Sequence, residues 1–245
     1  MEKRILVVSA LLQEIRPLAV LLDLKRFRAA MPPVSSCSMA GKRIFLGATG
    51  DGIHRSRGRL RAWLGGIAAD EVLSIGFAGA LTDNLKSGTL VHCTETMMPS
   101  EDCGEQLIRP FKSALNDMLG QCKDLISCRW LTAEHVVSGS KEKKALALST
   151  GAEVVEMETG AIFQECNALG IPCAAVRVIL DEAELEIPPD IGDMVDQFGN
   201  VRWRPAAACV LNRPGVALEM LRLGRLCSPA VRRLTDFAMK LLQEL

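Results

Sequence analysis

Short apolar runs alternate with stretches of helical periodicity along this chain. Ile5–Ser9 reads as a buried strand, and the pattern predicts a helix around Leu11–Leu22. Arg43–Thr49 reads as a second strand, running into Gly47-Ala48-Thr49-Gly50-Asp51-Gly52. A helix is expected over Ser56–Ala69, then a strand over Glu71–Phe77 that closes on Gly76-Phe77-Ala78-Gly79. Gly88–Thr94 is a further strand, with Gly88 as its turn. The middle of the chain carries no clear period. Order returns with a short strand at Val154-Val155, a helix from Met157 to Leu169 and a strand at Ala174–Leu180. Gly170 supplies the left-handed position after that helix, and Pro172 forbids its continuation. Strands alternating with helices predict an α/β layer sandwich with a largely parallel sheet.

Composition narrows the function classes. The 245 residues are 49% hydrophobic and 24% charged, which excludes disorder and suits one domain over 1–245. Lys+Arg 29 against Asp+Glu 29 leaves no basic excess, so a nucleic-acid partner is not expected. Nine cysteines include no Cys-x-x-Cys pair, and His54, His92 and His135 stand apart. Zinc spacing is absent; no metal and no cofactor are expected. The odd cysteine count, with no signal-peptide pattern, points to reduced thiols in the cytoplasm. No apolar stretch reaches the ~18 residues of a membrane span.

The last quarter changes character. An acidic loop is expected over 182–200, with Glu182, Glu184, Glu186, Asp190, Asp193 and Asp196 around Pro188-Pro189. Helices are expected over 213–245, where arginines dominate. Val231, Leu234, Ala238, Leu241 and Leu245 fall on one helical face. That stripe packs on the domain in the first reading; in the second it is a peripheral membrane contact.

Acidic residues mark the strand ends, where open α/β sheets collect ligands. Glu14 follows the first strand, Glu156-Met157-Glu158 lies at a strand-to-helix junction, and Asp181 ends Val176-Arg177-Val178-Ile179-Leu180. Taken singly, each has a plainer explanation as a helix-dipole or turn residue. Together they fall where a pocket belongs.

Val8-Ser9-Ala10 with Glu14, Gly50-Asp51-Gly52, Ile75-Gly76-Phe77-Ala78-Gly79, Val155-Glu156-Met157-Glu158 with Ala161, and Val176-Arg177 with Ile179 and Asp181 occur in an order that resembles the purine nucleoside phosphorylase/uridine phosphorylase superfamily. Over residues 4–183 the sequence is most similar to the methylthioadenosine/S-adenosylhomocysteine nucleosidases. The resemblance implies a three-layer αβα sandwich with a mixed, partly barrel-like central sheet. It implies that Asp181 protonates or hydrogen-bonds purine N7, that Glu158 holds the ribose 2′- and 3′-hydroxyls with Met157 against the sugar, and that Glu14 activates water. It extends substrate contacts to Glu156, Gly52, Phe77, Ala78, Gly79, Val136 and Val137, with Val136 where an aromatic normally stacks on adenine. The implied partner is a small-molecule purine nucleoside, and the implied assembly a homodimer or larger homo-oligomer.

The same resemblance separates water from phosphate as nucleophile. Phosphorylases of the superfamily carry Arg-x-Gly-Ser/Thr-x-Gly where this chain has Ser74-Ile75-Gly76-Phe77-Ala78-Gly79, and the early Gly-Asp-Pro-x-Arg motif is replaced by Ser9-Ala10-Leu11-Leu12-Gln13. Phosphate recognition normally uses arginine. Hydrolysis to free adenine and a ribosyl product is therefore expected, with phosphorolysis as the alternative. Arg55, Arg57, Arg59 and Arg61 are the cations that phosphorolysis would need, and a solvated helix face is their plainer reading. Leu180 stands where the nucleosidases usually have a serine that orients the acid. The acidic loop and the Arg/Leu-rich end look more like the hopanoid-associated phosphorylases, which would imply release of adenine from adenosylhopane. A nucleoside-binding protein is the non-enzymatic alternative. A dinucleotide-binding reading fails, because Gly50-Asp51-Gly52 lacks the third glycine of its motif.

Overall fold

The computed structural model describes residues 2–24, 34–100, 104–187, 196, 200 and 215–245, and side chains of the last segment from residue 224. The uninterrupted apolar runs become strands: β1 (Lys3–Ser9), β3 (Lys42–Ala48), β4 (Glu71–Ala80), β8 (Val154–Glu156) and β9 (Cys173–Asp181). The expected strand after Gly88 is longer than the pattern suggested, β5 (Leu90–Ser100). The helices α1 (Leu12–Leu21), α2 (Ile53–Leu64) and α5 (Thr159–Ala168) match the periodic segments. Gly170, at φ 65°, ends α5 as expected.

Four elements come from the unpatterned middle: β6 (Gly104–Ile108), α3 (Ala114–Gln121), β7 (Ile126–Thr132) and α4 (Ser140–Thr150). A fifth, β2 (Ser35–Met39), has the sequence Ser-Ser-Cys-Ser-Met and no apolar run to announce it. It is a strand because a tight turn, with Ala40 at φ 49° and Gly41 at φ 76°, folds it back antiparallel on β3.

The sheet is mixed rather than largely parallel. β1 runs parallel to β3 and β4, and β4 runs parallel to β9. β7 runs parallel to β5 and β8, whereas β4–β8, β5–β6 and β5–β9 are antiparallel. The pairings β4-β8-β7-β5-β9 return to β4, so five strands close into a barrel-like ring. Closure is what sets β9 antiparallel to β5. The resemblance implied this mixed, partly closed sheet; alternation of strands and helices alone did not.

Period-2 alternation divides the core into two faces. Ile5 and Val7 pack with residues of α1, α3 and the C-terminal helix α6 (Gly215–Glu244), whereas Leu6 and Val8 pack with residues of α2 and α5. The result is three layers. On α6, Leu234, Ala238 and Leu241 of the expected stripe are buried and Val231 and Leu245 half-buried, with α6 against α1 and β9. The domain itself covers that apolar face. Among the described residues, no helix is long and apolar enough to cross a membrane. Residues 182–187 leave β9 without regular structure, while Pro188-Pro189 and most of the acidic loop lie outside the described residues.

Candidate active site

A cavity of about 290 Å³ opens at the carboxyl ends of β1, β4, β8 and β9, at the small end of the usual range for small-molecule sites. Glu14, Glu158 and Asp181, more than a hundred residues apart at the extremes, all line it. So do Glu156, Met157, Phe77, Ala78, Gly79, Val136 and Val137. Gly52 is one step removed: at φ 85° it starts α2 and donates its N–H to Glu158 Oε1 at 2.9 Å.

Each acid is buried and held. Glu14, in the first turn of α1, accepts the Leu11 N–H on Oε2 and the Phe77 N–H on Oε1, both at 2.8 Å. The first bond satisfies a free donor at the helix start; the second reaches across to β4. Burial pushes the Glu14 carboxyl up to about 7, against the pull of the Leu11 and Phe77 amides and the Arg177 charge. Burial, then the charge of Glu156, raises Glu158 as well. Burial raises Asp181, with the Lys143 ammonium pulling it back.

The glycines of the β4 end serve these carboxylates. A Cβ on Gly76 would stand 2.8 Å from Glu14 Oε1, and one on Gly79 would stand 2.7 Å from Asp181 Oδ2. In the fold this run lets two acids approach the backbone.

Glu156 differs from the other three. It accepts from the N–H groups of Glu158 and Thr159, from the Thr159 and Thr132 hydroxyls, and from Arg177 at 3.1 Å. Its bonding is filled by the protein, which fixes the turn from β8 into α5 and so aims Glu158 at the cavity. The resemblance implied a substrate contact for Glu156; in the fold it lines the cavity and also holds its neighbour.

The arginines of α2 do not face the cavity. Arg55 pairs with Asp51, Arg61 with Glu165, Arg57 bonds Gln164, and Arg59 bonds the Ala48 carbonyl. Among the described lining residues none is Arg or Lys. His135 reaches the cavity rim, exposed, with Nε2 3.3 Å from Glu142. No group of three His, Cys, Asp or Glu side chains among the described residues is placed to hold a metal ion.

Three contributors were not foreseen. Cys227 of α6 and Ile187 of the loop after β9 complete the cavity wall. Lys143 of α4, fully buried, donates to Asp181 Oδ2 at 2.6 Å. It sits in Lys141-Glu142-Lys143-Lys144, which by pattern is a solvated charged face, so nothing in the spacing marks it. Arg177 did leave a signal: a lone charge inside the apolar run of β9 demands a buried partner.

The sequence model of the Phosphorylase superfamily matches residues 4–210. The chain belongs to the phosphorylase superfamily. A 5′-methylthioadenosine/S-adenosylhomocysteine nucleosidase of Actinobacillus succinogenes is 28% identical over 198 residues, 74% of this chain and 86% of the relative. The Helicobacter pylori 5′-methylthioadenosine/S-adenosylhomocysteine nucleosidase bound to butyl-thio-DADMe-Immucillin-A shares the fold, with a TM-score of 0.76, 16% identity and full coverage of both chains. A futalosine hydrolase mutant of Helicobacter pylori does so with a TM-score of 0.75 and 16% identity, over 99% of this chain and 100% of that one.

Proposed function

We propose that this superfamily member is a purine nucleosidase that hydrolyses the N-glycosidic bond of an adenosine derivative. The observation that carries the reading is the Glu14 carboxylate seated on the Phe77 N–H. That amide lies at the glycine-rich strand end where a phosphate nucleophile would need donors, and here it is bonded to a carboxylate that would repel one. The same carboxylate, near neutral in pKa, suits a base for water.

In this scheme the C1′–N9 bond breaks with its electron pair passing to the base, and Asp181 transfers its proton to N7. Water attacks C1′ and gives its proton to Glu14. Free adenine and a ribosyl product leave, with Asp181 one proton poorer and Glu14 one richer. A raised Asp181 pKa supports the donor role, since the acid must be protonated to act. Glu158 binds the ribose hydroxyls beside Met157. Val136 and Val137 take the base, and Phe77, Ala78 and Gly79 line its approach. The relative that is 28% identical, a methylthioadenosine/S-adenosylhomocysteine nucleosidase, supports an adenine nucleoside as substrate. The described cysteines are unpaired thiols, which suits a cytoplasmic enzyme. Val136, 41% exposed, and Leu148, 88% exposed, are apolar groups that a second copy would cover in a homo-oligomer.

The test is release of free adenine from a panel of adenine nucleosides, with and without phosphate. Adenine is expected at equal rates in both, and Asp181→Asn is expected to slow release by about 10²–10⁴-fold. Strict dependence on phosphate, with ribose 1-phosphate as product, would overturn the hydrolytic reading.

A further inference from the structure

Behind Asp181 lies a cation that the scheme above does not use. Lys143 has no exposed surface, and its ammonium meets three acceptors: Asp181 Oδ2 at 2.6 Å and the carbonyls of Glu182 and Leu185, each at 2.9 Å. An ammonium has three donors, so every proton of Lys143 is committed. A long, flexible side chain buried at this cost in entropy and desolvation is informative about what it holds. It holds one oxygen of Asp181 and the first turn of the chain beyond β9, which leads to Ile187 in the cavity wall.

The neighbours leave this task to Lys143. Leu180, before the acid, offers no hydroxyl. Glu182, after it, turns away to Lys86 at 3.0 Å and to the Ser87 N–H. Lys144 is taken by Glu184, and Glu142 meets His135. The other carboxylates lining the cavity, Glu14, Asp51, Glu156 and Glu158, are engaged elsewhere, as described above. From β4, the element packed on Asp181, Gly79 presents only backbone. Among the described residues, Lys143 is the one charged group bonded to Asp181.

We propose that Lys143 is a positioning residue for the acid: its ammonium clamps Asp181 Oδ2, leaves Oδ1 for the departing base, and couples that orientation to the loop at 182–185. This deepens the nucleosidase reading and rests on it. Two consequences follow from charge and geometry. The clamp fixes the carboxyl where a proton can pass to N7, so its loss lowers kcat more than it raises KM. The positive charge also opposes the effect of burial on Asp181. Removing that charge lifts the acid's pKa further. Because the protonated form is the active one, the alkaline limb of kcat/KM then moves to higher pH.

The experiment compares wild type, Lys143→Gln and Lys143→Arg in two readouts: the pH profile of adenine release, and the titration of the Asp181 carboxyl followed by ¹³C NMR. Gln keeps two N–H donors and removes the charge; Arg keeps the charge. In the Gln variant, the carboxyl midpoint and the alkaline limb are both expected to rise by about one unit or more. Its kcat is expected to fall at least about tenfold, with KM within a few-fold. In the Arg variant the limb stays near that of wild type even where kcat falls. An unmoved limb and midpoint in Lys143→Gln would overturn the proposal. Should that variant not fold, an upward-displaced limb in Lys143→Arg would do so. The carboxyl titration needs no turnover, so a wild type that releases no adenine would sink the nucleosidase reading separately from the clamp.

Discussion

Glu14 shows what a single buried carboxyl does to both stability and chemistry. Its folded pKa, about 7, lies above the ordinary value of 4.5, so the folded chain binds its proton more tightly than the unfolded chain does. The contribution to stability is therefore fully present below about 4.5 and is lost as pH rises to about 7. Above that, the ionised group disfavours the empty fold by on the order of 3 kcal/mol. Glu14→Gln removes this penalty. The amide oxygen can serve only one of the Leu11 and Phe77 N–H groups, and the lost bond costs about 1 kcal/mol. The variant is expected to be more stable than wild type at pH 8 by about 1–2 kcal/mol and less stable at pH 5, read from urea unfolding at the two values. Its adenine release is expected to fall by about 10²–10⁴-fold. In wild type the acidic limb of kcat/KM is expected near pH 7, since Glu14 must be ionised to act as the base we propose. A stability difference that does not change with pH would refute this account of Glu14.

At the scale of elements, α6 ties the far end of the chain to the site. Its buried residues Ala230, Leu234, Ala238, Leu241 and Leu242 join the core that α1 and β9 share, and Cys227, one turn before Ala230, reaches the cavity. Leu234 has no exposed surface, so Leu234→Ala leaves a cavity in that core and is expected to cost about 2–5 kcal/mol, measured by denaturant unfolding. A cost under about 0.5 kcal/mol would mean that α6 does not hold its docked position. This stripe was legible in the sequence because helical spacing places Leu234, Ala238 and Leu241 on one face. The strands β1, β4 and β9 were legible as unbroken apolar runs for a related reason: both of their faces are covered. β2 was not, since its serines, Ser35 and Ser36 half-buried and Ser38 exposed, are ordered by a turn and a partner strand rather than by their own pattern. Glu14, Glu158 and Asp181 could be read from their motifs, whereas Lys143 could not. Its burial depends on where α4 meets the loop after β9, a contact between segments 40 residues apart that no local pattern encodes.

The whole molecule depends on closing the ring of β4, β8, β7, β5 and β9, because that closure brings the ends of β8 and β9 beside the end of β4. Arg177, on β9 of that ring, is buried. It bonds Glu156 Oε2 and Thr159 Oγ1 at 3.1 Å each, and its guanidinium lies 5.6 Å from the centre of the Trp130 ring. One side chain of β9 thus engages the junction of β8 with α5 and a residue of β7. Both partners of the ion pair are fully buried, and such a pair adds little over a well-packed apolar substitute; breaking it is another matter, because it strands a charge. Arg177→Met removes the cation and leaves Glu156 buried, with its remaining donors neutral. It is expected to destabilise the fold by about 3–5 kcal/mol. Adding Glu156→Gln should recover part of that loss, since the stranded charge is gone, and urea unfolding of the two single variants and the double variant closes the cycle. Nucleoside binding by folded Arg177→Met should weaken as well, because the turn that aims Glu158 is no longer fixed. Additive losses in the double variant would show that Arg177 and Glu156 act separately, and the ring would then have to be held closed by its apolar packing alone.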